Sequence, residues 1–380
     1  MRNALIIGGT NGIGLAIAIN IASSYDKVYI LGRHKPTITL KDNIIFEKFD
    51  LFKDDIANVK KFLFVDLLII TAGIGRLAKF NTFTICEITQ IVNTNAVSII
   101  QILSLFSEKF MGKEKFFCGV ITSIAGIVNS PLYSVYSASK AALYKYIEAV
   151  NTELYMLNSN NVITNIAPGF IANTSFNGEV THLEKLNFIA EEFIQAIFNK
   201  EKLYIPKYKE VYKNVIENYW FSPNNFGIDS YNYKLKSGRI CNKPLTKIGY
   251  LSGTFDLFHI GHLNLLKRAK EYCDYLIVGV HKDASHKGKT TFISFEERKK
   301  IVAAIDVVDN VIESLPEDNM LWPLIHYDYL FVGSDYKGSE RFNRYEEYFK
   351  DKGVQIIYFP YTQGTSSSKL REALSKLKTK

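Results

Sequence analysis

Residues 4–14 read Ala4-Leu5-Ile6-Ile7-Gly8-Gly9-Thr10-Asn11-Gly12-Ile13-Gly14, and an apolar run of helical length, Leu15 to Ala22, follows. Four apolar residues bounded by glycine predict a short buried strand that breaks into a turn and then a helix. Glycines at 8, 12 and 14 leave room for a pyrophosphate to approach the backbone. The helix behind them presents unpaired N–H groups and the positive end of its dipole. Between strand and helix, with Thr10, Asn11 and Ile13 filling the loop, this turn predicts a dinucleotide site.

Working outward, Lys27-Val28-Tyr29-Ile30-Leu31 predicts a second strand ending in Gly32-Arg33-His34. A dinucleotide fold that takes NAD usually sets an acidic side chain there, on the ribose hydroxyls. Arg33 instead offers a fork suited to a 2′-phosphate, so the expected cofactor is NADPH; the plain alternative is an arginine decorating a loop. Short apolar strands at 4–7, 27–31, 66–70, 118–122, 162–166 and 203–205 alternate with helical periodicity, including helices near 87–111 and 134–157. That alternation predicts a parallel sheet wrapped by helices.

In the later helix, Tyr136-Ser137-Ala138-Ser139-Lys140 sets a phenol and an ammonium one turn apart on one face. A neighbouring ammonium favours the phenolate, so the tyrosine pKa, ordinarily about 10, is expected to fall. On a solvated face the same pair would carry no chemistry. Ser123 ends the apolar run Val120-Ile121-Thr122-Ser123, a rigid place from which to hold a donor against a substrate carbonyl.

The glycine spacing, Asn95 in Val92-Asn93-Thr94-Asn95, Ser123, Tyr136, Lys140 and the Pro168-Gly169 turn occur in the order and spacing of the short-chain dehydrogenase/reductases, which residues 1 to about 215 resemble. The resemblance implies that Tyr136 is the general acid to the carbonyl oxygen, that Ser123 orients it, and that Lys140 lowers its pKa and holds the ribose. It implies that Asn95 anchors a proton-relay water, that Asp50 contacts adenine, and that Ala72, Gly73, Pro168 and Gly169 line the cofactor. Two positions depart from the family: Ile70-Thr71-Ala72-Gly73 stands where Asn-Asn-Ala-Gly is usual, and Asn173-Thr174 is shifted by one from the usual threonine.

A second strand–turn–helix unit begins at Ile248-Gly249-Tyr250-Leu251 and runs into Ser252-Gly253-Thr254-Phe255-Asp256-Leu257-Phe258-His259-Ile260-Gly261-His262. Two histidines separated by Ile-Gly at a helix entry can aim imidazoles at one point beside the helix dipole, where an anion belongs. A metal site and a purely structural pair are the rival readings; no third and fourth ligands stand at zinc-like spacing. Residues 246–380 resemble the cytidylyltransferases of the glycerol-3-phosphate and choline-phosphate type. The match rests on Gly253 to Asp256, the His-x-Gly-His motif, Lys287 and Lys289, the Glu297-Arg298-Lys299 helix start, and Gln363-Gly364-Thr365-Ser366-Ser367-Ser368.

This resemblance implies in-line attack of a substrate phosphate on the α-phosphorus of CTP. His259 and His262 would act on the α-phosphate, Lys287 and Lys289 on the triphosphate and substrate phosphate. Gly253, Thr254, Phe255, Arg298, Gly364, Thr365, Ser366 and Ser367 would bind nucleotide, and Asp256 is the candidate ligand for Mg²⁺. Tyr361 and Gln363 replace the signature arginine and glutamate, so one cationic contact is lost or moved to Arg371 or Arg341. The motif alone marks only nucleotidyl transfer, and adenylyl transfer stays open.

A length of 380 residues suits two domains. The expected organisation is α/β throughout: a reductase domain at 1–218, a linker or ordered surface excursion at 219–245 rich in Asn, Ser, Tyr and Lys, and a nucleotidyltransferase domain at 246–380. These are two doubly wound, parallel-sheet, Rossmann-like domains in tandem. A hydrophobic share of 47% and a charged share of 22% are globular values. The formal charge of +8 comes from dispersed lysines, with no basic block of the kind that binds nucleic acid, so phosphorylated small molecules are the expected partners. Cys86, Cys118, Cys241 and Cys273 are far apart and read as reduced thiols of a cytoplasmic protein. No apolar run of span length and no leader before the first strand are expected.

A carbonyl reductase joined to a CMP transferase predicts a bifunctional enzyme. It would reduce and cytidylylate a ketose phosphate, of the fructose 6-phosphate or ribulose 5-phosphate kind, giving CDP-glucitol, CDP-ribitol or a relative for surface polysaccharide. Either reaction can come first. The competing readings are an adenylyltransferase fusion serving cofactor synthesis and a chain in which one domain is a non-catalytic nucleotide-binding module. By analogy with both families a homo-oligomer is expected.

Overall fold

A computed structural model of the chain describes residues 2–174, 176, 181–240, 247–283, 290–360 and 370. They fall into two compact units, Met1–Lys243 and Pro244–Lys380.

The first unit is built on seven strands, β1 (Asn3–Ile7), β2 (Lys27–Gly32), β3 (Ile44–Lys48), β4 (Leu67–Ile70), β5 (Phe117–Ile121), β6 (Ile163–Ile166) and β7 (Leu203–Tyr204). They form one sheet in the order β3-β2-β1-β4-β5-β6-β7, every neighbouring pair parallel. Its helices are α1 (Gly12–Ile21), α2 (Ile85–Val92), α3 (Ser98–Leu105), α4 (Ser107–Met111), α5 (Ser134–Met156), α6 (Leu183–Phe198), α7 (Lys213–Phe221) and α8 (Pro223–Lys236). Side chains alternate across a strand, and β1 shows the result. Leu5 and Ile7 enter a core with Ile99 and Ile102 of α3 and Leu143 and Ile147 of α5. Ala4 and Ile6 enter a second core with Ile17 of α1 and Phe193 of α6.

Six strands lie close to where the sequence reading put them. The seventh, β3, is an edge strand with only Ile44 buried, and so lacks a clean period. Residues 219–245, read as a linker or surface excursion, contain α8, and the division between units falls after Lys243. Its one buried residue is Gly227, which has no side chain, so no apolar stripe announces the helix. Lys234 pins it by donating to Ser130 Oγ at 2.7 Å and the Pro131 carbonyl at 3.0 Å.

A π-helical turn, Asn93–Val97, joins α2 to α3. By length and composition the resulting run, Ile85–Leu105, is apolar enough to cross a membrane, contrary to the expectation that no such run exists. Half of its most apolar stretch is buried within the protein, with Ile99, Ile102 and Leu103 in the core beside the sheet and Ile91 also buried.

The second unit has β8 (Ile248–Gly253), β9 (Tyr275–Val280), β10 (Asn310–Glu313), β11 (Tyr329–Gly333) and β12 (Gln355–Phe359), parallel in the order β10-β9-β8-β11-β12. Its helices are α9 (Ile260–Tyr272), α10 (Phe295–Ala303), α11 (Asp318–Ile325) and α12 (Glu340–Phe349). Leu251, Leu266, Val278, Val302 and Phe331 form its core. Both units are thus doubly wound parallel sheets. In each, strand order reverses beside the first strand, which opens a crevice at the strands' carboxyl ends.

In the first unit Arg76 and Glu87 form a buried bidentate pair, Nε to Oε1 at 2.6 Å and Nη2 to Oε2 at 2.8 Å. Arg76 also donates to the Thr82 carbonyl at 2.8 Å and lies 4.4 Å from the Phe83 ring centroid, tying the segment before α2 to that helix. Arg76→Ala strands a buried carboxylate, and the expected cost is about 3–5 kcal/mol. The check is the fall in the calorimetric unfolding midpoint of the first unit, which Arg76→Ala should lower more than the double replacement Arg76→Met/Glu87→Leu.

Candidate active sites

The glycine loop sits at the reversal between β1 and β4. An added Cβ at Gly14 would lie 2.3 Å from the Gly8 carbonyl oxygen, and one at Gly8 would lie 2.6 Å from the Ala72 nitrogen. Both are therefore held to hydrogen by close packing. Gly12, at φ +55°, meets nothing within 4 Å on its Cβ side, and the Asn11 side chain caps α1 by accepting from the Gly12 amide at 2.8 Å. The loop is thus tight against the sheet and open outward, onto a cavity of about 1020 Å³. That cavity is lined by Thr10, Ile13, Arg33, Asp50, Ala72, Gly73, Ser123, Tyr136, Lys140, Pro168 and Gly169. A dinucleotide fits this cradle. Arg33, His34 and Lys35 stand exposed at the rim beyond β2, and Asp50 is half-buried, its Oδ1 accepting from the Phe52 amide.

Tyr136, Lys140 and Ser123 converge on the same cavity. Ser123 Oγ accepts from the Ala125 amide at 3.1 Å, Lys140 Nζ donates to the Ile121 carbonyl at 2.9 Å, and Nζ lies 5.9 Å from the Tyr136 ring centroid. Asn95 is fully buried in the π-helical turn. Its Oδ1 accepts from the Ile74 amide at 2.8 Å while its Nδ2 donates to the Ile74 carbonyl at 2.7 Å and to Ser139 Oγ at 3.0 Å. The sequence reading missed Ser139, although it lies inside the quoted Tyr136–Lys140 stretch.

Proximity to Lys140 does not bring the Tyr136 pKa down. Burial raises it, against a lowering hydrogen bond from Ser123, and burial pushes Lys140 down to about 8. Desolvation dominates because both groups sit inside the protein. The phenol is accordingly protonated at neutral pH, the form that can donate to a carbonyl oxygen.

In the second unit His259 is the N-cap of α9, and its Nδ1 accepts from the Gly261 amide at 3.0 Å. Burial lowers its pKa. A neutral ring whose Nδ1 accepts carries its proton on Nε2, leaving that N–H as a donor. The His259 and His262 rings lie 4.0 Å apart between centroids, and Phe255 and Phe258 flank His262 at 5.3 and 5.4 Å. Phe255 and Leu257 hold φ of +52° and +51°, a left-handed backbone unusual for bulky residues. Gly253 lies under the Phe255 ring, where a Cβ would come within 2.9 Å.

Two residues of the sequence reading take other work. Arg298 is fully buried, and its guanidinium donates to the carbonyls of Thr254, His281, Lys282 and Ile293. It frames the nucleotide loop and is not aimed at a nucleotide. The Asp256 carboxylate accepts from the Phe292 and Ile293 amides at 3.0–3.1 Å, and among the described residues no group of three or more His, Cys, Asp or Glu could hold a metal ion. Lys287, Lys289, Gly364, Thr365, Ser366 and Ser367 lie outside the described residues.

The depressed Lys140 pKa has a thermodynamic consequence. The folded unit releases this proton near pH 8 while the unfolded chain holds it until about 10.5, so between those values the unfolded state binds more protons and stability rises with pH. Compared with Lys140→Met, the wild-type first unit should gain stability from pH 8 to pH 10, read from unfolding midpoints of both proteins across that range.

Residues 2–185 match the short chain dehydrogenase family, and residues 250–373 match the cytidylyltransferase-like family. The second region is 37% identical over 129 residues to the glycerol-3-phosphate cytidylyltransferase of Bacillus spizizenii, a match covering 33% of this chain and 95% of that protein. It is 34% identical over 135 residues to the bifunctional protein HldE of Nitratiruptor sp., covering 34% of this chain and 28% of that protein. A solved short chain dehydrogenase from Burkholderia cenocepacia in complex with NADP is similar at 16% identity and a TM-score of 0.47, with 57% of this chain and 98% of that one covered. The chain thus carries a short-chain dehydrogenase domain in its first unit and a cytidylyltransferase domain in its second, and is a bifunctional enzyme.

Proposed function

We propose that the chain makes a CDP-linked polyol from a ketose phosphate by CMP transfer from CTP and NADPH-dependent reduction of the keto group. The observation that supports this reading is the presence in one polypeptide of Ser123, Tyr136 and Lys140 gathered on one cavity beside the glycine loop and of a stacked His259–His262 pair at the start of α9. A reductase and a CMP transferase acting on one metabolite yield a CDP-polyol, whichever acts first.

NADPH bound along the glycine loop would supply the hydride. The residues of the first unit do the rest: Ser123 holds the carbonyl oxygen, and Tyr136, protonated because it is buried, gives that oxygen its proton. Lys140 stands beside the phenol, and Asn95 fixes the segment at Ile74 through paired hydrogen bonds. In the second unit a substrate phosphate oxygen bonds to the α-phosphorus of CTP, the bond to the bridging oxygen breaks, and pyrophosphate leaves. His259, donating through Nε2 beside the N-terminus of α9, stabilises charge on the α-phosphate. Lys287, Lys289 and the Gly364–Ser367 stretch are assigned to the triphosphate on the family resemblance.

The test is a panel of ketose phosphates with CTP, ATP, Mg²⁺ and NADPH, read by mass spectrometry. A CDP-polyol should form with CTP and not its adenine counterpart with ATP. Tyr136→Phe should cut reduction by about 100-fold or more and leave CMP transfer, and His262→Ala should do the reverse. Absence of any CDP-sugar with every ketose phosphate tried would overturn the reading. The basic rim at Arg33 supports NADPH over NADH: Arg33→Asp should raise the KM for NADPH by about tenfold or more with little change for NADH. A lower KM for NADH in the wild type would refute that preference.

A further inference from the structure

The end of the reductase cavity beyond Tyr136 is walled by α8 and the residues after it, a region matched by neither family. Two cations line it. Lys234 Nζ donates to Ser130 Oγ and to the Pro131 carbonyl and lies 5.5 Å from the Tyr133 ring centroid. Tyr133 in turn lies 5.4 Å from the Tyr136 ring, so Lys234 stands one aromatic ring beyond the reacting phenol. An ammonium has three protons to give, and two of these are spent on the wall, leaving one for a ligand.

Arg239 closes the same end. Its guanidinium carbon is 4.7 Å from the Phe170 ring centroid, next to the Pro168-Gly169 turn, and among the described residues it forms no ion pair. Burial, and after it the charge of Arg239, pushes Lys234 down to about 8, while burial raises Tyr133 against the lowering pull of the same charge. Asp229 of α8 also lines the cavity, but it pairs with neither cation. Two half-buried cations that disfavour one another, with no carboxylate between them, are an arrangement a bound anion would relieve.

We propose that Lys234 and Arg239 form an anion subsite that binds the phosphate of the reductase substrate and so fixes its carbonyl against Tyr136. This rests on the reading that the substrate is a phosphorylated ketose. Arg239, held over the Phe170 ring, offers the fork and Lys234 the point charge. The same chemistry would accept the monoester of a free ketose phosphate or the diphosphate of a CDP-ketose, and the order of the two reactions follows from which binds.

Reductase kinetics on the full chain at saturating NADPH decide it, with a ketose phosphate, the corresponding CDP-ketose and the unphosphorylated ketose compared. The phosphorylated compound that is the true substrate should have the lowest KM, and Arg239→Gln should raise that KM by about tenfold or more while lowering kcat far less. Lys234→Met should act in the same direction, and Lys236→Gln, on the exposed side of α8, should match the wild type. Inorganic pyrophosphate should inhibit reduction of the unphosphorylated ketose competitively in the wild type and about tenfold more weakly in Arg239→Gln. Equal KM increases for phosphorylated and unphosphorylated ketose, or unchanged pyrophosphate inhibition in Arg239→Gln, would overturn the subsite. If the wild type reduces no ketose phosphate and no CDP-ketose, the proposed function fails instead, and the pyrophosphate arm still reports on the anion subsite.

Discussion

One buried ammonium sets the terms for the reductase half. Lys140 is 3% exposed and has the Ile121 carbonyl as its hydrogen-bond acceptor. Holding a cation there is unfavourable, and it persists because α5 is locked against both neighbouring layers. Leu143 and Ile147 are sunk in the core beneath it, and Ser137 of the same helix bonds the Ala125 carbonyl. The desolvation that weakens the lysine's charge also keeps the Tyr136 proton in place. Burial therefore prepares the site as a proton donor, and that setting holds in the protein alone.

The nucleotidyltransferase half solves a different problem, which is to hold a loop in a shape its own residues disfavour. Left-handed Phe255 and Leu257 cost free energy, and the compensation is a frame of polar groups around them. Arg298 gathers four carbonyls from three segments, and the Asp256 carboxylate takes two amides. Phe255 folds back over Gly253, bringing His262 against its ring. In this way two charged residues of the sequence, Asp256 and Arg298, become scaffolding for the loop that leads into His259 and His262.

The parts legible in the sequence were those with a short-range cause. Glycine spacing between strand and helix, apolar strand runs and the one-turn separation of Tyr136 and Lys140 are local facts that the fold preserves. The illegible parts depended on burial, which is a property of the whole unit. Edge strand β3 buries only Ile44 and helix α8 only Gly227, so neither leaves a hydrophobic period. The direction of the Tyr136 shift required knowing how deep the pair lies. The structural duties of Arg298 and Asp256 required knowing that the loops at 254, 281–282 and 292–293 meet around them.

The π-helical turn at Asn93–Val97 inserts one residue more than an α-helical turn would hold, and it does so in the middle of the run that lies against the sheet. Each residue of an α-helix turns the chain by about 100°. Deleting one residue between 93 and 97 would remove the bulge and return the run to regular α-helix, which leaves Ile99, Ile102 and Leu103 on the core side but takes Asn95 off Ile74. The extra residue is therefore what turns the Asn95 amide onto the Ile74 backbone and Ser139, a contact that a regular helix of the same sequence would not make.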